Sequence, residues 1–63
     1  MPIITVKVIE GRTTEQKRGL VKDITDAVVN NFKVKPDEIM IDIIDYSREN
    51  IAVAGKLIAD RIS

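Results

Sequence analysis

Hydrophobic and polar positions alternate at the start of the chain, with Ile4, Val6 and Val8 on one side, Thr5 and Lys7 on the other, and β-branched residues throughout. A period of two in such a run predicts a strand over Pro2–Glu10. Gly11-Arg12-Thr13 breaks the alternation. Thr13, followed three residues later by Gln16, has the form of a capping box and predicts the start of a helix. Beyond it Leu20, Val21, Ile24, Ala27 and Val28 recur at helical spacing. One apolar stripe therefore runs along about five turns, ending near Phe32. Gly19 costs this helix up to about 1 kcal/mol relative to Ala, which close packing or simple tolerance must explain.

Residues 33–37 form a connector, because Pro36 disfavours helical geometry at Lys35 and is suited to begin a tight turn. A second strand, Ile39–Tyr46, follows, with Ile39, Ile41 and Ile43 facing one way and Met40, Asp42 and Ile44 the other. Strand, helix and strand of these lengths make a βαβ unit with parallel strands and a right-handed crossover. The fold class is α+β. In the tail, Ser47-Arg48-Glu49-Asn50 is a polar loop, Ile51–Ala54 a short apolar piece, and Lys56–Ile62 is expected to be a terminal helix or one arm of a short hairpin. The long helix covers one sheet face, so the opposite face and Ile51–Ala54 are left to be buried by other copies of the chain.

Length sharpens that expectation, since a chain of 63 residues buries only about 60% of the surface its unfolded form exposes. Without Cys it has no disulfide or thiolate metal site to staple it, and oligomerisation is the remaining common route. Hydrophobic residues make up 44% of the sequence, enough to supply such interfaces. Ten basic and ten acidic side chains cancel and interleave, and Phe32 and Tyr46 are the only aromatics. Nucleic-acid binding is therefore not expected. No apolar run is long enough to span a bilayer and no leader pattern opens the chain, so a cytoplasmic location is expected.

The sequence also lacks His, and its serines are Ser47 and Ser63. A Ser-His-Asp triad, a Cys-His pair and a His-based zinc site are excluded, and Gly11, Gly19 and Gly55 are too scattered for a phosphate loop. Acid–base chemistry is left to carboxylates, Lys, Arg, Tyr46 or a chain terminus. Pro2 follows the initiator Met and permits its removal. A mature amino-terminal proline is a secondary amine, which an apolar, cation-flanked pocket keeps neutral as a general base. The alternative is a processing signal and a stiff strand start. Arg12 offers a planar, bidentate grip on a carboxylate, against the alternative of a solvated loop charge. The intervening strand separates Pro2 and Arg12 by roughly 25–30 Å in one chain, so they meet only if a second copy pairs antiparallel.

Taken together, Pro2-Ile3, the stretch Val8-Ile9-Glu10-Gly11-Arg12-Thr13-Thr14-Glu15-Gln16-Lys17 and Ala52-Val53-Ala54-Gly55-Lys56 resemble the 4-oxalocrotonate tautomerase family. The correspondence runs without gaps over nearly the whole chain, residues 1–63 making one such domain. The resemblance implies βαβ protomers paired into a four-stranded dimer sheet, and three dimers in a hexamer, although some relatives build hexamers from two different chains. It implies an isomerase that moves a proton between oxygen and carbon of small 2-hydroxy-dienoate or 2-oxo acids, without a metal or organic cofactor. The catalytic proline then corresponds to Pro2 and the carboxylate-binding arginine to Arg12.

Two positions depart from the family pattern. Where its best-known members carry a second arginine, this chain has Met40, and loss of that cation weakens dicarboxylate chemistry. Where they carry a pocket-lining phenylalanine, this chain has Ile51, an apolar wall of different shape. Arg48 is a candidate replacement cation, with a solvated loop charge as the alternative. These departures leave open related hydratase or dehalogenase chemistry, and a non-catalytic or partner-requiring subunit.

Overall fold

The computed structural model describes residues 1–61. In chain order it contains β1 (Ile3–Ile9), α1 (Thr14–Phe32), β2 (Met40–Tyr46), β3 (Ala52–Val53) and β4 (Lys56–Leu57). Single 3-10 turns occupy Pro36–Glu38 and Ile58–Asp60. The first of these is the tight turn expected at Pro36, whose fixed φ suits its opening position.

β1 and β2 pair in parallel from Ile3 opposite Met40 to Ile9 opposite Tyr46. Ile4, Val6, Val8, Ile41 and Ile43 are half-buried on one side of this ribbon. α1 lies over that side, where Leu20 meets Val8 and Ile43 around a small crevice. Lys17 Nζ also reaches Asp45 Oδ2 at 2.6 Å, a partly exposed pair of the kind worth about 0.2–1 kcal/mol. On the open side stand Ile3, Thr5, Lys7, Met40, Asp42 and Ile44, with the Thr5 hydroxyl donating to Asp42 Oδ1 at 2.8 Å.

The capping box sets the start of α1. Thr13 Oγ1 accepts from the Gln16 N–H at 3.1 Å, and Gln16 Oε1 accepts from the Thr13 N–H at 2.9 Å. The helix ends where Lys33 takes left-handed backbone (φ 58°) and returns its N–H to the Val29 carbonyl. A Cβ placed on Gly19 would meet nothing within 4 Å. Within one protomer, tolerance rather than close packing explains that glycine.

Of the two forms expected for the tail over Lys56–Ile62, the hairpin arm is the one formed and the continuous helix is corrected. Lys56–Leu57 is β4, paired antiparallel with β3 so that Ala52 faces Leu57 and Val53 faces Lys56; Ile62 lies outside the described residues. The physical cause is the turn between them, where Ala54 (φ 54°) and Gly55 (φ 80°) are both left-handed. Two such residues give the primed hairpin turn whose twist matches the flanking strands.

No described residue of the isolated protomer is fully buried. Its radius of gyration is 15.0 Å, against about 11 Å for a compact chain of this length. The accessible area, 4988 Å², likewise exceeds the roughly 4,100 Å² typical of a folded monomer of this mass. The protomer is a slab of 43 × 23 × 14 Å whose sheet has one helix-covered face and one open face.

Candidate active site

The sequence-predicted residues separate into two groups at opposite ends of the β1–β2 ribbon. At the start of the ribbon, the Met40 N–H donates to the Pro2 carbonyl at 3.0 Å, so Pro2 and Met40 are neighbours. Pro2 is half-buried, and Met40 and Ile3 beside it are exposed. At the other end, Arg12 and Ile51 line one open cleft of about 710 Å³ together with Lys7, Val8, Ile9, Tyr46 and Asn50. Pro2 is not among its lining residues.

Local structure explains how Arg12 comes to this cleft. β1 ends at Ile9, Gly11 turns the chain with φ 119°, and Thr13 caps the helix immediately after. That φ lies where residues bearing a Cβ are rarely found, so the turn needs glycine. Arg12 is thus held between a strand end and a capped helix N-terminus, whose partial positive charge itself favours an anion. The charged lining residues, Lys7 and Arg12, are both cations. Tyr46 and Asn50 add a hydroxyl and an amide, and Val8, Ile9 and Ile51 supply apolar wall. A small organic acid suits such a surface: its carboxylate takes the guanidinium and its carbon skeleton lies against the aliphatic residues.

Arg48 sits on the adjoining loop, outside the lining of the cleft. Its main chain is committed on both sides, the N–H donating to Glu10 Oε2 at 3.1 Å and the carbonyl accepting from the Ala59 N–H at 2.9 Å. The sequence names Tyr46 only among the groups able to do acid–base chemistry and places neither it nor Lys7 nor Asn50 in a site. Tyr46 ends the second alternating run and Lys7 is the polar residue before the last valine of the first, so strand register was the available signal. Away from the cleft, the Lys22 ammonium on α1 is held above its ordinary pKa of 10.5, chiefly by its hydrogen bond to Asp26. Among the described residues no cluster of three or more acidic side chains is grouped to hold a metal, and no helix is long and apolar enough to cross a membrane.

Residues 2–61 match the family model described as Tautomerase enzyme. The chain is 43% identical over 60 residues to the 2-hydroxymuconate tautomerase of Bacillus subtilis strain 168, covering 95% of this chain and 97% of that protein. Its fold superimposes on a 4-oxalocrotonate tautomerase isozyme of Methylibium petroleiphilum with a TM-score of 0.87 at 46% identity, covering 92% and 91% of the two chains. A heterohexamer 4-oxalocrotonate tautomerase from Chloroflexus aurantiacus gives a TM-score of 0.87 at 28% identity, over 95% and 97%.

Proposed function

This chain belongs to the tautomerase family as an isomerase of the 4-oxalocrotonate tautomerase kind, and we propose that it interconverts the enol and keto forms of small 2-hydroxy-dienoate or 2-oxo acids with the Pro2 amine as acid–base catalyst. The observation that carries this reading is the cleft itself, which pairs Arg12 with an aliphatic wall and holds no acidic side chain. A carboxylate-bearing substrate fits it. The base must come from a neighbouring copy, since Pro2 lies at the far end of β1. Antiparallel pairing of two ribbons sets one copy's Pro2 beside the other's Arg12. Exposed Ile3, Met40 and Ile44 on the open sheet face, and Val53 and Leu57 on the hairpin, supply apolar surface for that pairing and for a hexamer of three dimers.

In such a site the neutral amine takes the enol O–H proton. The oxygen electrons form the C=O bond, the diene electrons shift along the chain, and the resulting ammonium returns the proton to carbon. Proton and electron pair both remain within the substrate, so the step is an isomerisation. Arg12 holds the carboxylate, Ile51 shapes the wall, and Met40 leaves the Pro2 side without the family's second cation.

A second reading, a subunit that needs a different chain to complete its site, is favoured by Met40. One preparation separates the two. Protein verified by mass to begin at Pro2 should ketonise a 2-hydroxy-dienoate on its own and scatter light as a hexamer. Inactivity of that homo-oligomer, relieved only by a different chain, establishes the second reading, and an active monomer overturns the shared site.

A further inference from the structure

At the mouth of the Arg12 cleft the parallel ladder ends with a change of acceptor. Every second residue of a parallel pair donates its N–H to the residue before its partner and accepts, through its carbonyl, from the residue after it, and Glu10 falls on such a rung. Glu10 lies one step past the end of β1, where Ser47 would be its partner. Its N–H makes the first of these bonds, to the Tyr46 carbonyl at 2.9 Å. The second is made by its side chain, with the Arg48 N–H donating to Glu10 Oε2 at 3.1 Å. One residue later the chain turns away at Gly11 towards Arg12. The carboxylate thus stands in for a main-chain acceptor and keeps residues 47–51 in step with a strand that has already ended.

The same loop is held from its other side by the Ala59 N–H on the Arg48 carbonyl and the Ile58 N–H on the Ile51 carbonyl, both at 2.9 Å. It carries Asn50 and Ile51 into the cleft, while the chain after Glu10 carries Arg12. The geometry points to Glu10 as a positioning residue that fixes the Asn50–Ile51 wall relative to the Arg12 guanidinium and so sets how tightly the cleft grips a substrate carboxylate. This inference rests on the carboxylate-binding reading of the cleft. Glu10 is not itself a lining residue, and its effect passes through the loop to substrate affinity rather than to the proton transfer.

Glu10→Ala and Glu10→Gln separate this role from a general loss of stability. The Gln side chain keeps an oxygen that accepts the Arg48 N–H; Ala keeps none. On a 2-hydroxy-dienoate, Glu10→Ala should raise KM roughly tenfold with kcat within about twofold, and Glu10→Gln should stay within about threefold of the parent. Hydrogen exchange at the Arg48 amide should accelerate in the Ala protein and return towards the parent rate in the Gln protein. If Glu10→Ala does not fold, Glu10→Asp, one methylene shorter, replaces it with the same expectations. KM within twofold of the parent in Glu10→Ala, a fall confined to kcat, equal losses in Ala and Gln, or an unchanged Arg48 exchange rate each overturn the proposal. If the parent chain does not turn over the dienoate, the proposed function fails separately. Calorimetric binding of 2-oxoadipate then decides the positioning role, which requires weaker binding in Ala and recovery in Gln and is overturned by equal affinity in all three.

Discussion

At the Pro2 end of the β1–β2 ribbon the side chains of Ile3 and Met40 are exposed, at 65% and 54%, and the Met40 N–H donates to the Pro2 carbonyl. At the Arg12 end an open cleft gathers Lys7, Arg12, Tyr46 and Asn50 beside three aliphatic residues. The first end offers the proposed base, Pro2, and no cation, and the second gathers the cations Lys7 and Arg12. Seven strand residues, spanning roughly 20 Å, keep the two apart. Parallel pairing within the protomer cannot bring them together, because it fixes which end each strand presents. On the proposed function, that difference assigns the chemistry to the contact between copies, which the exposed apolar face of a chain too short to bury a core is suited to make.

The largest expected effect comes from disabling the apolar end. Protein carrying an uncleaved residue before Pro2, confirmed by mass, has an amide where the base should be. Its kcat on an enol acid should fall by about 10²–10⁴, the range general acid–base catalysis supplies; Pro2→Ala, which leaves a primary amine, should fall less. At the cationic end, Arg12→Ala should lower kcat/KM by roughly ten- to a hundredfold, mainly through KM, as expected for one lost bidentate contact. A change within about twofold would make Arg12 a surface charge. Met40→Arg narrows the contrast by adding a cation beside Pro2. It should raise kcat roughly three- to tenfold for a dicarboxylate enol and little for a monocarboxylate.

The smallest effect is expected away from both ends. Gly19→Ala should raise unfolding stability by up to about 1 kcal/mol, read from denaturant curves, with kinetics unchanged, because the protomer leaves space around that position. Destabilisation instead would reveal a neighbouring subunit packed against Gly19.

Features governed by neighbours in sequence were legible from the sequence. Thr13 and Gln16 announce their cap, Pro36 its turn, and the alternation through Val8 and Ile43 its parallel strands. The tail was legible only as a choice between helix and hairpin, because Ala54 occupies a left-handed position normally given to Asn, Asp or Gly, and an Ala-Gly pair followed by Lys56-Leu57-Ile58 is equally compatible with helix. Contacts fixed by register were also hidden. Lys17 with Asp45, and Glu10 with Arg48, lie 28 and 38 residues apart and follow from which rung of the ladder each pair occupies. The members of the cleft show the same division: Arg12 stood out by its setting after Glu10-Gly11, whereas Lys7, Tyr46 and Asn50 join it only once the register is known.

The shared site is tested most directly by mixing two damaged proteins, one blocked ahead of Pro2 and one carrying Arg12→Ala, and allowing subunits to exchange. Random pairing of antiparallel ribbons places an intact Pro2 beside an intact Arg12 in about a quarter of the sites. The mixture should therefore recover about a quarter of the parent activity, well above either damaged protein alone. Activity no greater than the average of the two, in a mixture shown by mass to contain mixed oligomers, would contradict a site shared between copies.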